Sequence, residues 1–189
     1  MYLQNQEPFV PKVNVQGMMS KILIAGDGGQ GVQLIAEVLC QTAFANNKEV
    51  SFIPNYGLEQ RGGISLAYIQ ISDEKITYPK FSKPDILAIM SDQALLRTEA
   101  YQTPTTKLIN VKDYGKLLAD TGVDKKSWNV FLLGVLLIFL DFIDKEQVFQ
   151  LLEKKLSRKP FWDNNKHAFE VGSASLNQSA NEVAERWSN

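Results

Sequence analysis

Three glycines, Gly26, Gly28 and Gly31, stand in G-x-G-x-x-G order where an apolar run, KILIA (21–25), gives way to a stretch with helical spacing. Glycines in that position let a backbone turn tightly and let a ligand come close. A helix that starts there offers unpaired N–H groups and the positive end of its dipole to an anion. A second glycine-rich stretch, PNYGLEQRGG (54–63), sets Tyr56, Glu59 and Arg61 between two apolar runs, in a loop after the second strand that is expected beside the glycine turn. Arg61 has the chemistry for a bidentate contact with phosphate or carboxylate. The same residues also read without a ligand: the glycines as a tight strand–helix turn, and Arg61 as a brace for its own loop through Glu59 or a helix end.

The identity of the anion is narrowed by what is missing. A nicotinamide or flavin dinucleotide site asks for an acidic residue at the end of the second strand. Here that strand ends in FIPNY, and Glu49 lies at its start. The GDG of Gly26–Gly28 followed by Asn46–Asn47 imitates a thiamine-diphosphate motif, whose Asp and Asn must converge on an octahedral Mg²⁺. The separation here is too short, and both asparagines fall where a helix should stop. One cysteine, Cys40, and one histidine, His167, are too few for an iron–sulfur cluster or a structural zinc site. Cys40 falls on an apolar helix face and reads as a core thiol. His167, without a Ser, Cys or metal partner, reads as structural or surface.

The elements that must hold these residues alternate in type. Strands are predicted at 21–25, 49–53, 65–72, 85–90 and 107–111. Val32, Ile35, Ala36, Leu39, Cys40 and Ala43 predict a helix from Val32 to Ala45. ISDEKIT (71–77) suggests that the third strand forms a hairpin with a short strand around Ile76. Ser91 is a candidate cap for the helix DQALLRTEAY. Beyond Trp128 the chain reads as helical. Asp144 and Gln147 have capping-box spacing there, and Phe161–Trp162 and Val130–Leu140 are candidate core. Part of the run Val130–Leu140 reads equally as subunit interface. The expected fold is therefore α/β, with three α/β/α layers around a mostly parallel, mixed sheet that contains a β-hairpin.

The chain has 189 residues, 44% apolar and 22% charged, with net charge −1. That is one ordinary domain with a proper core. Nothing in that balance points to a nucleic-acid surface, which would need a basic patch. The run Val130–Leu140 is shorter than the roughly 20 residues a bilayer requires. Residues 1–20 lack the pattern of a signal peptide, so a cytoplasmic protein without membrane or nucleic-acid partners is expected.

Taken together, ILIAGDGGQGV, NYGLEQRGG and ISDEKITYPKFSKPDILAIMS resemble the gamma subunit of 2-oxoacid:ferredoxin oxidoreductases. WNVFLLG and NNKHAFEVG are similar to that family's later motifs. The resemblance covers Lys21 to Gly172, which marks 1–20 as an N-terminal extension and 173–189 as a polar tail. It implies a subunit of an enzyme that oxidatively decarboxylates 2-oxoglutarate or pyruvate, with coenzyme A (CoA) as co-substrate and ferredoxin or another acceptor. Thiamine diphosphate, Mg²⁺ and iron–sulfur clusters would belong to partner alpha, beta and ferredoxin-like delta subunits, with none bound by this chain alone. No residue here would be catalytic. Gly28, Gly29, Gln30 and Gly31 would cradle the phosphates of CoA. Tyr56 would make a stacking or edge contact, Glu59 would brace the loop, and Arg61 would act as charge partner. The alternatives are a free-standing dinucleotide-binding oxidoreductase and a purely structural assembly subunit.

Overall fold

Successive residues of the first apolar run feed two different cores. Ile22 and Ile24 belong to one hydrophobic layer, Leu23 and Ala25 to the other. A strand covered on both faces needs no polar alternation, which is why KILIA is apolar throughout.

The computed structural model describes residues 19–56 and 63–175. Strand β1 (Ser20–Asp27) leads into helix α1 (Val32–Ala45). Then come β2 (Glu49–Tyr56), β3 (Ile64–Ser72), β4 (Ile86–Ile89), α2 (Asp92–Arg97) and β5 (Lys107–Asn110). Four helices follow: α3 (Gly115–Asp120), α4 (Trp128–Leu137), α5 (Lys145–Leu156) and α6 (Trp162–Ala174). The sheet order is β2-β3-β1-β4-β5. β4 pairs parallel with both β1 and β5, while β3 pairs antiparallel with both β1 and β2. Only β3 runs against the other strands, so the sheet is mixed and mostly parallel, as expected.

The hairpin is not where the pattern suggested. No strand forms around Ile76. The hairpin joins β2 to β3, in register from Glu49↔Ser72 to Tyr56↔Ser65. With β1 on one edge of β3 and β2 on the other, β3 has no edge left for a strand at Ile76 to pair with.

Helices α1, α4, α5 and α6 pack on one face of the sheet around a large core that includes Phe131 and Phe169. Burying a side chain of that size is worth about 1.5–3 kcal/mol against leaving it in water. The other face is thinner, covered by α2 together with Phe81, Leu95 and Tyr101. Caps fall where the sequence placed them. Ser91 Oγ accepts the Ala94 N–H at 3.1 Å, and Asp144 accepts the Glu146 N–H at 2.7 Å. Asn46 and Asn47, the latter with φ 60°, end α1.

α4 and α6 cross through two glycines. A Cβ on Gly134 would stand 2.7 Å from Phe169 O, and one on Gly172 would overlap Phe131 O. The late motifs WNVFLLG and NNKHAFEVG therefore specify a helix crossing too close for side chains. Trp162 packs on Phe149 at 5.8 Å between ring centroids. Phe161 departs from the expected core position: it is 49% exposed. It is the N-cap of α6 with φ 73°, and that backbone turns its ring away from the interior. Among the described residues, no helix is long and apolar enough to cross a membrane.

Candidate functional site

The chain leaves β1 at Asp27, passes Gly28–Gly31 and enters α1 at Val32. Gly29 and Gly31 have φ of 91° and 80°, a region that costs a side-chain-bearing residue about 1–2 kcal/mol. Gly31 is the N-cap of α1 and brings no side chain to cap it. Any Cβ there would overlap the Asn129 amide of α4. The N–H groups of Gly29, Gly31 and Val32 find no backbone acceptor among the described residues. They sit at the positive end of the helix dipole, where an anion is favoured.

Gln30 serves the turn itself. Its Oε1 accepts the Asp27 N–H at 2.7 Å, and its own N–H donates to Asp27 O at 3.1 Å. The reciprocal pair locks the turn and commits the side-chain oxygen.

The two glycine motifs meet, as the order of elements suggested. The Gly28 N–H donates to Gly63 O at 2.8 Å. Gly26 of β1 and Tyr56 of β2 both stand opposite Ser65 of β3. Tyr56 is thus two strand spacings from the turn, about 10 Å. It is 65% exposed at the same end of the sheet. Glu59 and Arg61 lie outside the described residues.

After β1 the chain goes to α1 on one face of the sheet; after the neighbouring parallel strand β4 it goes to α2 on the other. That divergence makes the crevice between the ends of β1 and β4 the place where open α/β sheets bind ligands. Asp27 bridges it: Ser91 Oγ donates to Asp27 Oδ1 at 2.6 Å. The carboxylate is half-buried beside the open N–H groups and opposes an anion there. On the other flank Gln33 Nε2 donates to Ser65 Oγ and to Leu66 O, both at 2.9 Å. Gln33 Oε1 is buried without a partner among the described residues.

Asp27, Gln33, Ser91 and Asn129 were not picked out as site residues by sequence reasoning. Asp27 entered that reasoning only through its imitation of a thiamine motif. Asn129 had a weak signal in WNVFLLG, with nothing to tie it to a turn far upstream. Cys40 is buried on α1, and burial, helped by the Glu37 carboxylate, pushes its thiol up to about 12. It is an inert core thiol. His167 Nε2 lies 2.8 Å from Thr121 O, a contact that ties α6 to the end of α3.

The model of the pyruvate ferredoxin/flavodoxin oxidoreductase family matches residues 21–175. A curated relative, the 2-oxoglutarate synthase subunit KorC of Methanothermobacter marburgensis, is 43% identical over 104 residues, covering 54% of this chain and 51% of that protein. The chain spans about half the length of the first curated relatives it matches. A solved 2-oxoglutarate:ferredoxin oxidoreductase from Magnetococcus marinus, with 2-oxoglutarate, coenzyme A and succinyl-CoA bound, superposes with a TM-score of 0.71 at 20% identity. That match covers 82% of this chain and 30% of the other. The gamma subunit of a keto/oxoacid ferredoxin oxidoreductase from Geobacter sulfurreducens superposes with a TM-score of 0.60 at 23% identity, covering 81% and 95%. At such identities the structural likeness speaks for the fold.

Proposed function

The chain belongs to the pyruvate ferredoxin/flavodoxin oxidoreductase family, and from that premise we propose that it is the gamma subunit of a CoA-dependent 2-oxoacid:ferredoxin oxidoreductase. The complex breaks the bond between the 2-oxoacid's carbonyl carbon and its carboxylate. It forms a thioester with CoA, releases CO₂ and the thiol proton, and passes an electron pair to ferredoxin or a similar acceptor. 2-Oxoglutarate is the substrate put forward, on the KorC relative, with pyruvate as the alternative. Alpha, beta and ferredoxin-like delta subunits carry the thiamine diphosphate and iron–sulfur clusters. An iron–sulfur cluster does not fit the residues of this chain, whose one thiol is buried and held protonated.

The observation that supports a CoA role is the junction of the two glycine motifs at Gly28 and Gly63, beside open N–H groups at the start of α1. The N–H groups of Gly29, Gly31 and Val32 receive the diphosphate, and Gln30 holds the turn in shape. Tyr56, Glu59 and Arg61 complete the neighbouring loop as contact, brace and charge partner. Residues 1–20 and 173–189 flank the domain as extension and tail, and the subunit works in the cytoplasm.

The Asp27 carboxylate favours a second reading, in which the turn only docks partner subunits. Anaerobic purification of the tagged protein from its host tests both. Co-purifying thiamine and iron–sulfur subunits, with CoA-dependent reduction of a viologen dye by an oxoacid, support the enzyme reading, and a series of oxoacids names the substrate. In that complex Gly29→Ala separates the two readings. A raised KM for CoA supports the ligand role; loss of subunits supports docking.

A further inference from the structure

α4 does not begin abruptly. A 3-10 turn, Lys125–Ser127, precedes it, and Asp124 caps that turn by accepting the Lys126 N–H at 2.7 Å. The turn sets two exposed lysines side by side. Lys125 Nζ stands 5.5 Å from the centre of the Trp128 ring, and Lys126 Nζ stands 4.5 Å from that of Phe161. Neither lysine pairs with a carboxylate among the described residues. Arg158 and Lys159 precede Phe161 in the chain, while Asp120 at the end of α3, the committed Asp124 and Asp163 in the first turn of α6 are the nearby acids in sequence.

Two further features mark this place. Phe161 is an aromatic residue held in the left-handed region with half its surface open. Ser127, the N-cap of α4, is fully buried, yet its Oγ has no partner among the described residues; buried Trp128 Nε1 has none either. Native folds seldom leave such groups unpaired. Asn129, next in the chain, lies against Gly31. The start of α4 thus touches the glycine turn through Asn129 and the start of α6 through Lys126 and Phe161.

We propose that Lys125, Lys126 and the open part of the Phe161 ring form a subsite for the nucleotide end of CoA. The lysines hold the 3′-phosphate, and the ring stacks on the adenine. This rests on the reading of the glycine turn as the diphosphate site. The two lysines act as point charges on flexible stems, suited to a compact dianion. An aromatic face accepts any base, so stacking supplies contact while the 3′-phosphate supplies discrimination.

The test uses the assembled complex, with CoA and 3′-dephospho-CoA as alternative substrates. In Lys125→Ala/Lys126→Ala the KM for CoA should rise about tenfold, from the loss of charge-assisted contacts. The KM for dephospho-CoA should stay within about twofold of wild type, because the lost contacts have no counterpart there. The salt dependence of the CoA KM should flatten, and Lys125→Arg/Lys126→Arg should restore it. Phe161→Ala should raise both KM values, and Phe161→Tyr should restore both. Equal effects of the double lysine variant on the two substrates, or no effect, overturn the proposal. Loss of a partner subunit on native mass spectrometry overturns it too, because the patch then docks protein. Gly29→Ala separates the levels. If it moves neither KM, the diphosphate reading fails. If it moves both while the lysine variant moves neither, only the subsite fails.

Discussion

Asn129 of α4 lies against the bare α-carbon of Gly31, at the point where β1 gives way to α1. The two residues set each other's limits: the glycine has φ 80° and no room, and the asparagine is buried because the glycine admits it.

Gly31→Ala therefore combines backbone strain with a collision. We expect a loss of about 3 kcal/mol. Adding Asn129→Gly should relieve the collision and leave about 1–2 kcal/mol of strain. Urea denaturation of the two variants and of Asn129→Gly alone reads the coupling. Strict additivity would mean that the contact does not matter.

Asp27 gives a prediction with a definite sign. Asn at this position keeps an oxygen for the Ser91 hydroxyl but removes the charge beside the open N–H groups. If a diphosphate docks there, Asp27→Asn should lower the KM for CoA by up to about fivefold at low salt. High salt should shrink the difference. A raised KM would instead show that the carboxylate accepts a hydroxyl or amide N–H of the ligand.

The crossing of α4 and α6 predicts a stability effect remote from any ligand. Gly134→Ala and Gly172→Ala each force the helices apart and should cost about 1–3 kcal/mol. Both act on one interface, so the double variant should cost less than the sum. Thermal melts of the single and double variants check this. An unshifted midpoint for Gly172→Ala would contradict the close packing.

Cys40 should resist alkylation at pH 8 in the native chain and react once denaturant opens the core. Its thiol is raised from 9.0 to about 12 on folding. The folded state therefore keeps a proton that the unfolded chain gives up. That contribution is fully present below pH 9 and is lost as pH rises toward 12. Stability relative to Cys40→Ala should fall across that window, by at most about 1.4 kcal/mol per pH unit. Parallel denaturation curves of the two proteins at pH 8 and above measure it.

Much of the fold was legible because its signals are local. The limits of α1 follow from a 3.6-residue apolar period framed by Gly31 and Asn46, and Ser91 and Asp144 cap as their types dictate. The hairpin was misplaced because pairing is decided by which strand edges are free, and periodicity along one strand does not report that. The meeting of the glycine motifs was legible from the order of elements. Asp27 and Asn129 were not, since each gains its role from a residue on another element. Phe161 looked like core by type alone; only its backbone conformation puts the ring outside.

The contact between Gly31 and Asn129 also sets an order of events. A residue near the start of the chain receives its wall from a helix made much later, after all five strands. The turn cannot reach its final shape on a ribosome until α4 has emerged and docked, a long-range closure of the kind that slows folding. A truncated or half-folded chain thus presents the glycine motif without its Asn129 wall.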